Sequence, residues 1–239
     1  MDYQSVFKRY EIKFLLSRLQ KDKIRDKLSE YMCEDKHGKT TVRNLYFDTE
    51  NFLLIRRSIE KPIYKEKLRL RSYGKVSKDD CVFVELKKKY NGIVYKRRLA
   101  MPENKAMMWL NGDDYPFEKC QISNEIDYFK GYYRGLEPKV FLSYDREAFF
   151  DKGKSDLRIT FDENIISRRE ELSLWSKVLG KSLIEEDLIL MELKTAGGIP
   201  LWLTHLLTDM NLFKTSFSKY GNVYTSTILN KTKEGIIYA

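Results

Sequence analysis

The chain is poor in the residues that build disulfide, zinc and histidine-based sites. It has three cysteines and two histidines among 239 residues. Cys33, Cys81 and Cys120 are widely scattered, which excludes a disulfide framework and a tetrahedral zinc site. No apolar run approaches the ~18–20 residues of a membrane-spanning helix, and the first residues lack the apolar core of a signal peptide. We therefore expect a cytoplasmic protein with reduced thiols and no membrane segment of its own.

Sequence features that divide a chain are missing as well. There is no internal repeat, no low-complexity segment and no linker rich in proline or glycine. The glycine-rich P-loop pattern GxxxxGK[ST] does not occur either, which excludes phosphate binding of the Walker type. We predict one domain over 1–239, with a core over about 7–224.

Positive charge is what the sequence has in excess. Lysine and arginine number 44 against 35 aspartate and glutamate residues, so the formal net charge is +9. Such a balance favours an anionic partner, and nucleic acid, an acidic membrane surface and a phosphorylated ligand all meet that description.

The hydrophobic pattern predicts an α+β fold with many antiparallel strands. Ser17 and Gln20 form a capping-box pattern at the start of a helix over about 17–32. Asn91-Gly92 is the pattern of a tight hairpin turn. Further helices are predicted over 102–111, 122–134 and 201–210. Strands are predicted over 7–15, 41–48, 63–74, 81–89, 93–101, 139–150, 157–165 and 188–194.

Seven of the predicted strands share an unusual alternation. Because successive side chains of a strand point to opposite faces, Arg69, Arg71 and Tyr73 lie on one face while Leu68 and Leu70 lie on the other. The same division into an apolar and a charged face recurs in six further strands. Their charged faces carry Arg9, Glu11 and Lys13; Glu85, Lys87 and Lys89; Lys96 and Arg98; Tyr144 and Arg146; Arg158, Thr160 and Asp162; and Glu192 and Lys194.

Two interpretations of this alternation are open. The charged face is the solvated side of a half-buried antiparallel sheet, or helices cover the apolar face and the charged face turns inward. The second arrangement is a closed antiparallel β-barrel of about eight strands that forms a polar tunnel, with helices packed outside. Crowded positive charges in such a tunnel are unfavourable without a ligand and become favourable around a polyanion.

The residue types on this face match phosphate. Arginine pairs with phosphate oxygens in a fork, and lysine adds a point charge. The carboxylates of Glu11, Glu85, Asp162 and Glu192 repel phosphate unless a divalent metal bridges them to it. Their alternative role is ion pairing with neighbouring basic residues. We expect Glu192 to be a metal ligand.

At these residues the sequence resembles the VTC domain, the catalytic part of eukaryotic polyphosphate polymerases. That domain is related to the triphosphate tunnel metalloenzymes, which include the CYTH phosphatases and class IV adenylate cyclases. The resemblance spans about residues 7–224. It is carried by RYEIKFLL at 9–16, LRLRSYG at 68–74, VFVELK at 82–87, YKRR at 95–98, SYDREAFF at 143–150, LRITFD at 157–162, LMELK at 190–194 and FSKY at 217–220.

The resemblance implies a role for individual residues. It implies phosphate-binding positions at Lys13, Arg69, Arg71, Lys87, Lys96 and Arg146. It also implies a tyrosine beside the nucleotide phosphate at Tyr144 and a metal-binding glutamate at Glu192 that holds Mn²⁺ or Mg²⁺. Ser218 and Lys219 correspond to the SK pair of a terminal motif. We add to the phosphate-binding set the basic residues Lys89, Arg98, Arg158 and Lys194. The predicted catalytic residues are Arg69, Arg71, Lys87, Arg146 and Glu192.

Two departures bear on the activity. The eukaryotic polymerases have a lysine where this chain has Ser216, and Lys214 would compensate if both lay on one face of a strand. Lys89 stands where those enzymes carry histidine.

Three functions are compatible with these residues. The first is a polyphosphate polymerase that transfers the γ-phosphate of ATP to inorganic polyphosphate. The second is a tripolyphosphatase or nucleoside triphosphatase of the same fold, against which the pattern Arg9-Tyr10-Glu11-Ile12-Lys13 speaks, because the hydrolases begin with two acids. The third is a non-catalytic polyphosphate-binding module. The third hypothesis extends to nucleic-acid binding, because Tyr64, Tyr73, Tyr90 and Tyr95 lie among basic residues and would stack on bases. Stacking does not call for inward glutamates, however, so we predict no nucleic acid partner, and a membrane link would come through a partner protein.

Overall fold

The computed structural model describes residues 10–153 and 155–229, which form a ten-stranded antiparallel sheet and six α-helices. The strands are β1 (Tyr10–Ser17), β2 (Met32–Glu34), β3 (Thr40–Asp48), β4 (Tyr64–Tyr73), β5 (Cys81–Tyr90), β6 (Ile93–Pro102), β7 (Glu137–Asp151), β8 (Arg158–Arg168), β9 (Lys181–Ser182) and β10 (Leu188–Thr195). The helices are α1 (Arg18–Tyr31), α2 (Leu53–Ile59), α3 (Glu103–Leu110), α4 (Gln121–Tyr133), α5 (Leu201–Asp209) and α6 (Lys219–Val223), with a π-helical segment at Tyr224–Leu229 after α6.

The local sequence signals correspond to these elements. The Ser17 side chain accepts from the Gln20 amide and the Gln20 side chain accepts from the Ser17 amide, so the predicted capping box begins α1. Asn91 and Gly92 both have positive φ, at 45° and 84°, which is the backbone of the tight turn predicted between β5 and β6. The predicted start of the first strand at Phe7, and Arg9 with it, lies outside the described residues.

The main sheet runs in the order β1-β10-β8-β7-β3-β4-β5-β6, while β2 pairs with β7 and β9 with β8. Its apolar face carries the helices. Leu68, Val84 and Leu86 pack with Trp109 of α3 and Phe129 of α4. A second cluster joins the opposite part of the sheet to α1 and α5 through Phe161, Met191, Ile24, Leu28 and Leu203. Burial of these clusters fixes the helices on the outside, so the charged face is the inner one.

The sheet curls so that its two ends face each other. Lys87 Nζ of β5 lies 3.0 Å from Glu11 Oε1 of β1, although these strands are near opposite ends of the strand order. An ion pair between them requires the inner face to bend round on itself. The antiparallel α+β architecture of the prediction is therefore confirmed.

Closure of the barrel by hydrogen bonding is not confirmed. Between residues 10 and 229, leaving aside residue 154, no ladder joins β1 to β6. The reason lies in the chain after α5. The Thr215 amide donates to the carbonyl of Lys13 at 2.7 Å, and Lys13 Nζ donates to the carbonyl of Phe217 at 2.7 Å. This segment therefore lies beside Lys13 on the outer edge of β1, where β6 would pair in a closed barrel.

The inner face also holds an apolar cluster, which the sequence did not predict. Tyr46, Val140, Leu142 and Leu190 of the sheet pack with residues of α2 and of the chain from 217 to 228. Asp48 ties these two parts together. Its carboxylate accepts from the amides of Leu54 and Ile55 in α2, and from the Tyr220 hydroxyl of α6 at 2.9 Å.

In the ranges that the structure describes, no helix has the length and hydropathy to cross a membrane.

The Tyr220–Asp48 contact can be tested by unfolding. We expect Tyr220→Phe to lower the free energy of unfolding by about 1–3 kcal/mol, because it removes a hydrogen bond to a buried charged group. Urea denaturation would measure the difference. Tyr128→Phe, on the exposed side of α4, is the matched control and should be neutral. Equal stability of both variants would contradict the assigned role of Asp48.

Candidate active site on the inner face of the sheet

The inner face brings the predicted site residues together, and most of them are at least partly buried there; Arg158 shares the face of Thr160 and Asp162 by its register with Lys194. Strand register aligns Lys13 with Glu192, Arg146 with Asp162, Arg69 with Glu85 and Lys87 with Lys96. Arg158 is the exception to this burial, since it lies exposed at the beginning of β8, with its guanidinium 4.5 Å from the centre of the Phe150 ring. Basic residues outnumber carboxylates on the described part of this face.

Glu85 is the centre of a first group of ion pairs, which we call the Glu85 cluster. Its carboxylate is 1% exposed. Arg69 donates to Oε2 from Nη2 at 2.7 Å, while Lys96 Nζ lies 2.7 Å from Oε1 and Arg98 Nε donates to the same oxygen at 2.7 Å. Burial opposes ionisation here, but Arg71, Arg69, Lys96 and Arg98 hold the pKa of Glu85 well below its usual range. This carboxylate is therefore ionised and positions three cations side by side.

Asp162 and Glu192 form a second group, the Asp162–Glu192 cluster. Arg146 donates to both Asp162 oxygens, at 2.6 and 2.7 Å, and Lys219 Nζ lies 2.5 Å from Asp162 Oδ2. Glu192 is held more loosely, with Lys13, Lys194 and Lys219 ammonium groups at 3.2–3.3 Å. Burial opposes ionisation of both carboxyls, yet the surrounding cations lower the pKa of each.

Tyr144 connects the two clusters. The Arg146 guanidinium lies 5.0 Å from the centre of its ring, and the Lys219 ammonium lies 4.6 Å from it. Its hydroxyl accepts from Arg71 Nη2 at 3.3 Å. Burial raises the pKa of this phenol, but Arg146, Arg71 and Lys219 outweigh it and lower the pKa to about 8. A phenol with such a pKa reports a strongly positive surrounding.

Lysines face one another across β4 and β5 without enough carboxylates to neutralise them. Lys65 is opposite Lys89 and Lys67 is opposite Lys87, and directly opposed like charges destabilise a sheet. Burial, followed by repulsion from Lys87, Lys65 and Lys13, lowers the pKa of Lys67 to about 7. Burial also lowers the pKa of Lys96 to about 7, with Arg71 and Arg69 adding to it and Glu85 opposing it. An anion at this place would relieve the repulsion.

The comparisons with known proteins agree with this geometry. The VTC domain family model matches residues 8–228. This chain belongs to the VTC domain family. No curated protein sequence matches it.

Solved structures resemble this VTC domain at low sequence identity. A putative adenylate cyclase from Bacillus halodurans is 14% identical, with a TM-score of 0.54, 93% of this chain covered and 100% of that one. A putative adenylyl cyclase from Hippeastrum, described as having a dominant triphosphatase activity, is 16% identical, with a TM-score of 0.49, 91% of this chain covered and 94% of that one. The first likeness shows a shared fold.

The structure bears on the two roles that the sequence left open for the carboxylates. All four acids of the described inner face contact basic residues, so the ion-pairing alternative holds for Glu11, Glu85 and Asp162. Their presence on the face therefore does not require a metal. In the part of the chain that is described, no group of three or more His, Cys, Asp or Glu residues is arranged to hold one.

Glu192 still has the chemistry for a divalent cation. Mg²⁺ binds through one or two carboxylates together with phosphate oxygens and water, and does not need a cage made by the protein alone. Glu192 is the loosely held member of its cluster, whereas Asp162 is fixed by a two-point contact with Arg146. Thr160 lies opposite Glu192 on the neighbouring strand, and its hydroxyl oxygen is buried and without a hydrogen-bond partner among the described residues. These residues fit a cation that is bound together with a phosphate.

Several residues of the site were missed from the sequence. Lys65 and Lys67 have the same strand parity as Arg69 and Arg71, so the alternation already contained the signal for them. Asn44 accepts from Arg71 Nε at 2.9 Å, and the Tyr46 hydroxyl accepts from Arg69 Nη1 at 3.0 Å. These two lie in β3, which is buried on both faces and therefore lacks the alternation of apolar and charged residues that marked the other strands.

The segment before α6 also differs from the expectation. Lys214 and Ser216 are exposed and neither lies in a strand, so the condition for compensation, that both lie on one face of a strand, is not met. Ser218 instead caps α6 and accepts from Lys67 Nζ at 3.1 Å, while Lys219 is buried against Asp162.

The low lysine pKa values predict how anion binding depends on pH. Lys67 and Lys96 have a pKa near 7 without ligand, and a bound anion raises it because it stabilises the charged form. We expect sulfate to bind best near pH 6 and to weaken as the pH rises from 7 to 9, by up to about tenfold per pH unit for each lysine.

The rise in Tm on adding sulfate, whose charge is constant over this range, would measure the effect. Lys67→Met and Lys96→Met should flatten the pH profile, whereas Lys105→Met on the exposed side of α3 should not. Binding that is constant or strengthens between pH 6 and 9 would contradict the assignment.

Proposed function

We propose that this VTC domain transfers the γ-phosphate of ATP to the end of an inorganic polyphosphate chain on the inner face of its sheet. The observation that carries the proposal is the surplus of inward-facing cations, of which Lys67 and Lys96 have a pKa of about 7 without an anion. The expected partners are ATP and polyphosphate, in the cytoplasm, with any membrane link made through a partner protein.

The residues would act mainly by position and charge. Phosphoryl transfer needs little covalent help, since its barrier is lowered by alignment of the reactants and by stabilisation of spreading negative charge. Arg69, Arg71 and Arg146 are the groups we assign to the transferred phosphoryl group. Each is already oriented by a fixed partner, namely Glu85, Asn44 and Asp162. Orientation before the substrate arrives reduces the reorganisation that the reaction needs.

Lysines would hold the rest of the anion. Lys13, Lys87, Lys89, Lys96, Lys194 and Lys219, together with Arg98, Arg158, Tyr144 and Ser218, are the further groups that we assign to phosphate. Glu192 is the residue that would hold Mn²⁺ or Mg²⁺, and such a cation would neutralise charge on the phosphate oxygens.

Hydrolysis by the same fold is the second candidate. It requires a base that positions and activates water, and a base works best with a pKa near the operating pH. Burial opposes ionisation of Glu11, but Lys87 and Lys194 lower its pKa to about 2. Glu85, Asp162 and Glu192 also have lowered pKa values. None of the carboxylates on the described inner face is suited to be a strong base. In the polymerase reaction the acceptor is the terminal phosphate of the chain, which is already ionised and needs no base.

The product formed from ATP tests the proposal. With γ-labelled ATP and Mn²⁺, we expect labelled long-chain polymer together with ADP, and Arg71→Ala should reduce its formation by at least about a hundredfold. Lys105→Ala is the matched control. Orthophosphate as the sole labelled product would favour the hydrolase. If neither protein turns over ATP, and Arg71→Ala binds tripolyphosphate as tightly as the parent, the results would favour an external, non-catalytic binding patch.

Glu192 has its own test. Glu192→Gln keeps the size of the side chain and removes the charge, so we expect a weaker dependence of turnover on Mn²⁺ and a higher Mn²⁺ concentration for half-maximal rate. Glu118→Gln, in an exposed loop, should behave like the parent. A Glu192→Gln protein with the parent's Mn²⁺ titration would refute this assignment.

A further inference from the structure

The loop between β8 and β9, over residues 169–180, turns part of its apolar content outward. Leu174 is fully buried and packs into the core cluster under α3 and α4, on the outer face of the sheet. The next apolar side chains point to solvent. Trp175 is 50% exposed, Leu179 is 62% exposed, and Val178 is exposed as well. We call these three residues the apolar tip.

Two arginines of the sheet fix the backbone of this loop. Arg43 of β3 is buried, and its Nη1 donates to the carbonyls of Leu174 and Ser176, both at 2.8 Å. Arg168, the last residue of β8, donates from Nη1 to the carbonyl of Leu179 at 2.9 Å. The backbone is therefore held on both sides of the exposed tryptophan and at the end of the tip.

The loop also closes tightly against the sheet. A Cβ atom added at Gly180 would collide with the carbonyl of Ser167 in β8, so only glycine allows this approach. A backbone held at so many points keeps the apolar tip in solvent unless another surface covers it. Exposed apolar side chains that are grouped together, unlike scattered single ones, mark sites of contact with proteins or membranes.

The charge pattern of the loop is complementary to an anionic surface. Residues 168–182 contain four basic and two acidic residues, which gives a net charge of +2. The acids, Glu170 and Glu171, precede the apolar tip, whereas Lys177 lies within it and Lys181 follows it closely. Both lysines are exposed, and a lysine can keep its stem on an apolar surface while its ammonium group stays at the polar boundary.

The size of the apolar tip favours a lipid surface over a protein. A stable protein–protein interface takes about 20–30 residues from each side, whereas the tip offers three apolar side chains. Tryptophan is enriched at the boundary between lipid headgroups and acyl chains. An apolar element accompanied by basic residues binds most strongly to membranes that contain anionic lipids.

We propose that the loop over residues 169–180 binds peripherally to an anionic phospholipid surface, with the apolar tip inserted at headgroup level and Lys177 and Lys181 beside the anionic headgroups. The inference is independent of the proposed function, since the loop packs on the outer face and carries none of the residues assigned to phosphoryl transfer. It gives the protein a lipid contact of its own, besides any link made through a partner protein.

Sedimentation with sucrose-loaded vesicles, without ATP or metal, tests the apolar tip. We expect the parent to bind mixed phosphatidylcholine–phosphatidylserine vesicles at least about tenfold more tightly than pure phosphatidylcholine vesicles. Trp175→Ala should weaken binding to the mixed vesicles at least about tenfold, because much of the inserted apolar area is lost. Trp175→Phe keeps an aromatic ring and should bind within about threefold of the parent. Phe213→Ala, at an exposed aromatic residue outside the loop, is the matched control and should bind like the parent.

The lysines have a test of their own on the same mixed vesicles. Lys177→Gln/Lys181→Gln should weaken binding at least about tenfold, because both charges lie near the anionic surface. Lys65→Gln/Lys89→Gln removes the same charge from the inner face and should bind like the parent. An equal loss in the two double variants would show that the basic protein is attracted as a whole, and this result would overturn the assignment to the loop.

Tryptophan fluorescence gives a measurement on the parent protein itself. Trp109 is buried, and Trp202 is stacked on Tyr31 with ring centroids 4.3 Å apart, so Trp175 is the exposed member of the three tryptophans. On the mixed vesicles we expect its emission to shift to shorter wavelength and to be quenched by brominated acyl chains. Trp175→Phe should lose both effects while it still binds. Binding without quenching in the parent would place the contact elsewhere and refute the proposal.

Contact between two copies of the chain is the alternative use of the apolar tip. Sedimentation velocity of the parent and of Trp175→Ala distinguishes it from lipid binding. A parent that ignores the mixed vesicles, but forms a dimer that Trp175→Ala does not form, would overturn the proposal and assign the tip to self-association. A monomeric parent that binds these vesicles through Trp175 would support it.

Discussion

The structure depends on the containment of like charges on a concave face. Lysines and arginines from β1, β4, β5, β6, β7 and β10 share one concave face, and their repulsion opposes folding. Glu85 and Asp162 make the arrangement possible, since each is buried and each holds two or more cations at hydrogen-bond distance. Removal of one partner from such a buried group is far more costly than loss of a surface pair. The carboxylates are therefore part of the scaffold that orients the cations.

Neutralisation by these acids is incomplete, and the function that we propose depends on the positive charge that remains. Burial, followed by repulsion from neighbouring cations, lowers the pKa values of Lys67 and Lys96, and a phosphate chain would relieve the repulsion. Binding energy of this kind is available only to a ligand with many negative charges. In the proposed function, selectivity for polyanions would arise from the density of positive charge on the inner face.

The sequence was sufficient for the eight longer strands and the hairpin at Asn91-Gly92, because each has a local pattern with a physical cause. It also showed which face of each strand is charged, but it left open whether that face turns inward. It was insufficient where the cause is tertiary. Helix α2 begins after Phe52, which is in the left-handed conformation and whose side chain makes no capping hydrogen bond. Its free amides bond to Asp48, outside the helix. Asn44 and Tyr46 gave no signal, since β3 is buried on both sides. The path of residues 215–217 beside β1 follows from two long-range hydrogen bonds that no periodicity encodes.

That path has a consequence for the molecule in a crowded solution. An uncovered strand edge offers unpaired amides and carbonyls to any other chain and is a starting point for intermolecular β-pairing. Here the segment that contains Thr215 covers part of the edge of β1, and the opposite edge, β6, carries three consecutive cations in Lys96, Arg97 and Arg98. An incoming strand would meet an occupied edge on one side and concentrated positive charge on the other. Both features oppose edge-to-edge pairing of an open curled sheet, which lacks the continuous hydrogen bonding of a closed barrel.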